Sequence, residues 1–355
     1  MVKKFLSALV VLALAGGLAL WGVVHWSQHK LRHTPLHHEN TESYFDFPTG
    51  QTVRHLPTLL AEAGFLASEE REALALALRI QLRLHPDLAR VHAGEYDLRS
   101  ANTVQDVLDL VREGKVVRHA ITIVEGTRFR DLKALLRSKN NITHEIIELS
   151  DADIMAALGR AGEHPEGWFA PDTFHYTKGD TDLAILQRAL STQEQRLAAA
   201  WENRQPDLPY DSPYELLIMA SIIERETGVP SERPDIAGVF VRRLQKGMRL
   251  QTDPTVIYGM GEAYVGRITR KDLRTPTPYN TYTIFGLPPT PIAMPGAKAL
   301  EAAANPAEGK ALYFVAKGDG THHFSATLAE HEAAVRRYQL NRRADYRSSP
   351  AETVQ

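Results

Sequence analysis

The pattern of apolar and polar residues begins with one long uncharged run near the N-terminus. From Phe5 to Trp26 the sequence contains no Asp, Glu, Lys or Arg, and two lysines precede the run. A helix of this length crosses a bilayer, and preceding lysines favour a cytoplasmic N-terminus. We therefore predict a cytoplasmic tail at 1–4 and an uncleaved transmembrane signal anchor at 5–26. A cleaved signal peptide is the alternative, although no clear small-residue cleavage site closes the run.

The chain after this run alternates short apolar strands with amphipathic helices. Residues 27–43 are polar and rich in histidine; we interpret them as a solvated linker, with a metal-binding tract as the alternative. Strand, turn and helix then follow each other twice, at 45–65 and 121–141, and each copy carries a Leu-Leu pair. This similarity indicates a weak internal repeat of a small α+β unit, unless two ordinary strand–helix turns are alike by chance.

Periodicity and capping signals predict the other elements. Segment 274–296 is rich in proline and is predicted to be irregular, and Asp253–Pro254 is predicted to be a turn. Strands are expected at 44–47, 92–98 and 116–126, with a hairpin at 311–327. Helices are expected at 53–62, 68–84, 103–114, 127–140, 142–165, 181–202, 212–230, 231–247, 297–304 and 328–343.

The helix predicted at 212–230 is the most informative of these elements. Ser212 suits the N-cap, Pro213 the first helical position, and Glu215 completes a capping box. Apolar residues then cover a wide arc, so we predict a core helix. Glu224 follows Leu217 by seven positions and therefore lies on or beside the apolar face.

A carboxyl group at such a position has two interpretations. Desolvation raises the pKa of a carboxyl group, which is what a general acid near neutral pH requires. Alternatively, Glu224 marks the exposed end of the helix and pairs with Arg225, Arg233 or a lysine. The local pattern leaves both open.

The composition of the chain and the motifs it lacks exclude several kinds of active site. The 355 residues are enough for two or three domains, and a formal net charge of −2 gives no electrostatic case for nucleic acid. The chain has no cysteine, which excludes disulfides, thiolate catalysis and zinc–thiolate sites. It also contains no phosphate-binding G-x-x-x-x-G-K-[ST], no G-x-S-x-G and no H-E-x-x-H motif. Carboxylate chemistry is the enzyme class that remains.

Glycoside cleavage normally needs two carboxylates. Spacing marks no second one, and the candidates are Glu226, Glu232, Asp253 and Asp172. One acid suffices when the substrate supplies its own nucleophile, as a muramic acid residue does when its C6 hydroxyl attacks C1.

The aromatic loop 166–180 has the composition of a sugar platform, but an aromatic plug in the core is the more expected interpretation.

Three long strings then resemble a known family. EGWFAPDTFHYT, MASIIERETGVPSERPDIAGVFVRRLQKGMRLQTDPTVIYGMG and TPTPYNTYTIFGLPPTPIAMPGAKALEAAANP are similar to the YceG-like (MltG) endolytic murein transglycosylases, as is the hairpin YFVAKGDGTHHFS. The resemblance covers roughly residues 44–340. In that family the catalytic glutamate lies in the A-S-I-I-E-x-E string, which implies Glu224 here, with Glu226 as the second acid of the string.

The resemblance implies an α+β fold with an N-terminal transmembrane helix. We expect a LysM-like α+β segment at 44–140, a mixed α/β catalytic domain at 141–345 with the catalytic Glu on a helix, and a disordered tail at 346–355. It also implies no cofactor, no metal and no nucleic acid. The expected partners are peptidoglycan glycan strands, the cytoplasmic (inner) membrane and peptidoglycan synthases, with the catalytic domain periplasmic.

The implied reaction is endolytic cleavage of the MurNAc–GlcNAc bond to leave 1,6-anhydroMurNAc ends, with Glu224 acting as acid and then as base. A hydrolytic muramidase and a non-catalytic wall-binding scaffold are the alternatives. We expect the substrate groove to be formed by Glu226, Gln251, Thr252, Asp253, Tyr279, Asn280 and Tyr282.

Overall fold

The computed structural model describes residues 2–38 and 43–341. Its helices are α1 (Val2–His33), α2 (Leu56–Glu62), α3 (Glu70–Leu84), α4 (Val104–Glu113), α5 (Phe129–Arg137), α6 (Asp151–Ala157), α7 (Asp182–Glu202), α8 (Pro213–Glu226), α9 (Arg233–Gln245), α10 (Asp253–Met260), α11 (Ala297–Ala304) and α12 (Leu328–Val335). Its strands are β1 (Tyr44–Phe47), β2 (Gly94–Asp97), β3 (His119–Thr122), β4 (Thr173–Tyr176), β5 (Tyr313–Ala316) and β6 (His322–Ser325). They form three two-stranded sheets, β1–β2, β3–β4 and β5–β6. The disordered tail predicted at 346–355 lies outside the described residues.

Contacts divide the chain into two compact units. An N-terminal unit comprises Met1–His119 and His175–Gly179, and a C-terminal unit comprises Ala120–Phe174 and Asp180–Gln355. This division does not coincide with the domain boundary predicted at 140, because the segment 120–140 packs with the C-terminal unit. The second copy of the predicted repeat therefore belongs to a different unit from the first.

In the N-terminal unit, helices surround the antiparallel pair β1–β2, in which Tyr44 lies opposite Asp97 and Phe47 opposite Gly94. The strand predicted at 44–47 is confirmed, and its side chains alternate: Phe45 and Phe47 are buried in the core, whereas Tyr44 and Asp46 are exposed. These two rings pack with apolar side chains from α2, α3 and α4 in one cluster.

The N-terminal helix α1 is a candidate single membrane span, from Lys4 to His33. It is longer than predicted, because residues 27–33, expected in the linker, continue the helix. This extension packs on α3, where buried Gln81 donates a hydrogen bond of 2.7 Å to the Ser27 hydroxyl. The extension is therefore stabilised by tertiary contacts that a polar sequence does not reveal.

The C-terminal unit is organised around α8. Every residue from Leu216 to Glu224 is buried, and α8 packs against α7, α9, α10 and α11. Its predicted start is confirmed, since the Ser212 hydroxyl accepts the Glu215 amide and Pro213 opens the helix. The predicted capping box is wrong in one detail, because the Glu215 carboxylate accepts a hydrogen bond from the Asp211 amide instead of the Ser212 amide. The predicted bounds of α11 and the hairpin β5–β6 are confirmed as well.

Two predictions for this unit are wrong. The helix expected at 142–165 shrinks to α6, capped by Ser150, because the buried Asp182 carboxylate accepts the amide groups of residues 145–147 and holds them out of a helix. The turn expected at Asp253–Pro254 is the start of α10, where a proline in the first turn needs no amide partner.

Candidate active site

Glu224 lies in the last turn of α8 with both carboxylate oxygens engaged. Its Oε1 accepts a hydrogen bond of 2.7 Å from Nη2 of Arg233, at the start of α9. Its Oε2 accepts a hydrogen bond of 2.9 Å from the backbone amide of Gly296, the N-cap residue of α11. A cation and a helix N-terminus therefore hold the group from two sides.

Burial dominates the acidity of this group. Glu224 is 9% exposed, and loss of hydration raises its pKa above the ordinary value for glutamate. The Gly296 amide and the Arg233 charge lower the pKa but do not cancel the effect of burial. Both earlier interpretations of Glu224 are thus correct in part, because the group is desolvated and also paired with Arg233.

A second carboxylate, Glu125, belongs to the same cluster. It follows β3 in the turn before α5, and its Oε2 lies 3.1 Å from the same Nη2 of Arg233 that contacts Glu224. A Cβ at position 296 would overlap the Glu125 carboxylate where it now lies, so glycine is what lets this carboxylate pack against the α11 N-terminus. The sequence analysis missed Glu125, because a carboxylate after a strand has no spacing signal that links it to Glu224.

Glu226 lies two residues further along α8 and faces another part of the unit, since two residues turn a helix by about 200°. It is half-buried, and its Oε2 accepts a hydrogen bond of 2.8 Å from the Thr252 hydroxyl. Burial raises the pKa of Glu226 to about 7, and the charge of Asp253 acts in the same direction.

Glu226 lines a cavity of about 480 Å³. The cavity is bounded by Glu226, Arg243, Leu250, Gln251, Asp253, Tyr282, Tyr313, Phe314, Val315, Ala316, His322, Leu328, His331 and Val335. Four of the residues predicted for the groove thus lie around one cavity. A fifth, Thr252, does not line the cavity but donates a hydrogen bond to Glu226. Glu224 is not among the lining residues.

The other predicted groove residues have different surroundings. Asn280 is buried and its amide donates to the carbonyl groups of residues 272, 273 and 275, so it holds its own loop together. Tyr279 packs on the ring of Tyr258 and its hydroxyl contacts Thr290. Neither residue lines the cavity beside Glu226.

Within the wall of the cavity, two features fix side-chain positions. Gln251 has a φ of +54°, a left-handed conformation that is uncommon for a residue with a side chain. The backbone amide of Gln251 donates a hydrogen bond to the Thr281 carbonyl, and this bond stabilises the left-handed conformation. The Tyr282 hydroxyl donates a hydrogen bond of 2.7 Å to Oδ1 of Asp253.

The remaining acidic candidates have structural partners. Glu232 pairs with His322, and Asp172 pairs with Arg196. Glu166, which the sequence analysis did not single out as an acid, is buried, and burial raises its pKa to about 7. It accepts hydrogen bonds from the Phe129 amide and the Tyr258 hydroxyl. The aromatic side chains of loop 166–180 are buried too, which favours the plug interpretation over a sugar platform.

Among residues 2–38 and 43–341, no group of three or more His, Asp or Glu side chains is placed to hold a metal ion. What the site offers is a desolvated carboxyl group between a guanidinium and an amide, with a cavity on the other side of the same helix. A raised pKa keeps a carboxyl group protonated to higher pH than usual, so the arrangement is typical of carboxylate acid–base chemistry.

Comparison with known proteins extends this description. The chain belongs to the YceG-like family, whose family model matches residues 45–337. It is 30% identical over 310 residues to the endolytic murein transglycosylase of Bacillus subtilis (strain 168), covering 82% of this chain and 84% of that protein. It is 24% identical to the endolytic murein transglycosylase of Streptococcus pneumoniae serotype 2, covering 81% of this chain but only 57% of the pneumococcal protein.

A crystal structure of a yceG-like protein from Listeria monocytogenes is similar as well. The two structures align with a TM-score of 0.53 and 28% sequence identity, over 82% of this chain and 97% of the other. The family membership and this likeness agree with the resemblance found in the sequence.

Proposed function

We propose that this protein is an endolytic lytic transglycosylase that cleaves the MurNAc–GlcNAc bond within peptidoglycan glycan strands, with Glu224 as its acid and base. The observation that carries the proposal is the environment of Glu224, a buried carboxyl group with a raised pKa held by Arg233 and the Gly296 amide. The Bacillus and pneumococcal relatives are named endolytic murein transglycosylases, which supports the choice of substrate.

In the proposed reaction, Glu224 first donates its proton to the glycosidic oxygen as the bond from C1 of the muramic acid breaks. The resulting carboxylate then accepts the proton of the C6 hydroxyl, whose oxygen bonds to C1 and closes the 1,6-anhydro ring. One acid is enough, no water is consumed, and Glu224 ends in its initial protonation state.

Arg233 and Gly296 have a clear use in this cycle. The carboxylate exists only between the two proton transfers, and a cation and an amide already in place stabilise it without reorganisation. These partners lower the pKa of Glu224 while burial raises it, and the net effect is a pKa above that of an ordinary glutamate.

We assign the substrate groove to the cavity beside Glu226. Gln251, Asp253 and Tyr282 present amide, carboxylate and hydroxyl groups there, which suit sugar hydroxyl and N-acetyl groups. Thr252 orients Glu226, whereas Tyr279 and Asn280 are given the lesser role of shaping the neighbouring loop. A glycan strand bound in this cavity would reach Glu224 by passing around the C-terminal end of α8.

The same proposal covers location and partners. Helix α1 would anchor the protein in the cytoplasmic membrane with the N-terminus inside, so that the chain after this helix lies in the periplasm. Residues of the N-terminal unit would form the LysM-like segment that binds or presents glycan strands. Peptidoglycan synthases, which produce new strands at this membrane, are the expected protein partners.

Mass spectrometry of the products from purified glycan strands tests the proposal. Wild-type protein should release fragments with 1,6-anhydroMurNAc ends, and Glu224→Gln protein, nearly identical in shape, should release none while remaining folded. Reducing ends would instead identify a hydrolytic muramidase, and retained cleavage by the Glu224→Gln protein would refute the assignment of the acid. A protein without activity in either form would favour the scaffold.

A further inference from the structure

We propose that Glu125 is a positioning residue for this reaction: it shares Arg233 with Glu224 and neutralises that arginine whenever Glu224 carries a proton. The inference rests on the proposed function, because it assigns a task within the proton cycle of Glu224. It concerns a residue that does not touch the scissile bond and acts through Arg233.

The geometry is that of one cation between two carboxylates. A single nitrogen, Nη2 of Arg233, lies 2.7 Å from Glu224 and 3.1 Å from Glu125. The two carboxylates are therefore within about 6 Å of each other, the range in which charges shift a pKa strongly. The side chains of Arg233 and Glu224 are 8% and 4% exposed, whereas that of Glu125 is 46% exposed.

This difference in exposure decides what each carboxylate can do. When Glu224 is protonated, Arg233 loses one counter-charge while it stays buried, and a buried charge without a partner is strongly unfavourable. The Glu125 carboxylate is half exposed to water and lies within ion-pairing distance, so Arg233 keeps a partner. When Glu224 becomes the carboxylate, Arg233 is already within hydrogen-bonding distance of it. Arg233 therefore has a carboxylate partner in both protonation states of Glu224.

The backbone around Gly296 keeps the cluster together. The Gly296 amide binds Glu224, and the space above its α-carbon is filled by the Glu125 carboxylate. Glu125 itself sits in a turn that is tied to this segment, since the Gly126 amide donates to the Met294 carbonyl at 2.9 Å. The chain therefore places Glu125 against the same residue that fixes the acid.

Other charged groups near the cluster have separate partners. Arg225, the neighbour of Glu224 on α8, donates to the Gly126 carbonyl. Glu232, beside Arg233, pairs with His322. On α11, Lys298 and Glu301 pair with each other at the surface. The charges that act on Glu224 are those of Arg233 and Glu125, and they act in opposite directions.

The pH dependence of kcat/KM for the full-length protein tests this role. The rate falls at high pH as the acid loses its proton, so the basic limb follows the pKa of Glu224. Glu125→Gln removes a negative charge and leaves Arg233 wholly to Glu224, and both changes lower that pKa. We expect the basic limb to move to lower pH by roughly 0.5–1 unit, with a smaller change in KM than in kcat.

Three further variants separate charge from shape. Arg233→Gln should move the basic limb the other way, to higher pH, because a positive charge is lost. Glu125→Asp keeps the charge and should leave the limb near its wild-type position. Glu301→Gln, which removes a surface carboxylate from α11, is the matched control and should leave the profile unchanged.

Gly296→Ala gives a second way to displace Glu125 without removing it. The backbone of residue 296 has a φ of −75° and a ψ of 169°, which alanine adopts freely, but its Cβ would push the Glu125 carboxylate away. This variant should reproduce the shift of Glu125→Gln, and it carries the test if the Glu125→Gln protein does not fold.

The role of Glu125 is overturned if the basic limb of the Glu125→Gln and Gly296→Ala proteins stays at its wild-type position. It is also overturned if that limb moves in the same direction as in Arg233→Gln. Failure of the proposed function looks different: wild-type protein would yield no anhydro ends, or Glu224→Gln protein would still cleave. The two outcomes are therefore read from different measurements.

Discussion

The two acids near the end of α8 share their burial but differ in their partners. Burial raises the pKa of Glu224 and of Glu226 alike. Glu224, however, has a guanidinium on one oxygen and a backbone amide on the other, whereas Glu226 accepts a hydrogen bond from a hydroxyl, that of Thr252. Glu226 faces a cavity, and Glu224 faces a cluster of charges.

This difference teaches that a raised pKa does not by itself assign a role. A carboxylate formed at Glu224 meets stabilising groups already in place, which is what an intermediate state in catalysis needs. A carboxylate formed at Glu226 has a hydroxyl and the repelling charge of Asp253 beside it. We therefore give Glu224 the proton transfers and Glu226 the contact with bound sugar.

The strongest way to break this comparison is to remove each acid in turn. We expect Glu224→Gln to lower the rate of glycan cleavage by about 10²–10⁴-fold, the usual contribution of a general acid or base. Glu226→Gln should lower kcat/KM by about tenfold or less, mainly through KM, because it removes a binding contact. Rates from equal amounts of folded protein measure both effects.

The reverse order of effects would move the catalytic role to Glu226. Glu232→Gln is a useful control for both variants, because Glu232 lies near the same helix end but pairs with His322. A loss of activity in this control that matched Glu224→Gln would point to general damage to the region instead of to the acid.

The next largest effect concerns stability. The pKa of Glu226 is about 7 in the folded protein, above the ordinary 4.5, so the folded state holds this proton more tightly than the unfolded state does. Stability should therefore fall as the pH rises from about 4.5 through 7. Glu226→Gln mimics the protonated form and should recover about 1–3 kcal/mol at pH 8 relative to wild type.

Thermal unfolding at pH 5 and pH 8 measures this difference. Part of the slope should persist in the Glu226→Gln protein, because the pKa of buried Glu166 is also raised to about 7. An identical loss of stability between pH 5 and pH 8 in the wild type and the variant would show that Glu226 stays ionised throughout, contrary to the environment described for it.

A smaller effect should act on the stability of α8, the helix that carries both acids, and not on the acids themselves. Ser212→Ala removes the hydroxyl that accepts the Glu215 amide at the start of α8, and loss of such a cap typically costs about 1 kcal/mol. The melting temperature should fall, while the products and the pH profile stay those of the wild type. A changed pH profile would mean that the acids depend on the exact position of α8. Ser138→Ala, on the surface, is the control.

The comparison also shows how much of the site could be predicted from the sequence. The start of α8 and the position of Glu224 on or beside the apolar face are local consequences of one cap and one periodicity, and both were predicted, whereas the burial of Glu224 was left open. Glu125, Arg233 and Gly296 come from three separate segments and meet only in the folded unit. The pattern of residues within one segment does not indicate contacts between distant segments. Glu125 was therefore missed, and Arg233 was considered only as an ordinary ion-pair partner of Glu224.

The wrong helix prediction has the same origin. Residues 142–150 have helical propensity, yet the buried carboxylate of Asp182 binds their amide groups and prevents a helix there. Asn280 was assigned to the groove as a polar residue of a stiff loop, and that assignment stays a prediction; its amide donates to three carbonyl groups of its own loop, which the sequence did not indicate. In both cases a distant or neighbouring polar group decided the outcome, and local sequence does not identify that partner.

The smallest predicted effect sharpens the assignment of the cavity. Tyr282→Phe removes a hydroxyl that donates to Asp253 and keeps the ring in the cavity wall. If sugar binds there, losing one hydrogen bond of about 1 kcal/mol should raise KM roughly fivefold with kcat nearly unchanged. Tyr264→Phe, outside the cavity lining, is the control. A fall in kcat at constant KM would instead connect this cavity to the proton transfers and erase the division of tasks between the two sides of α8.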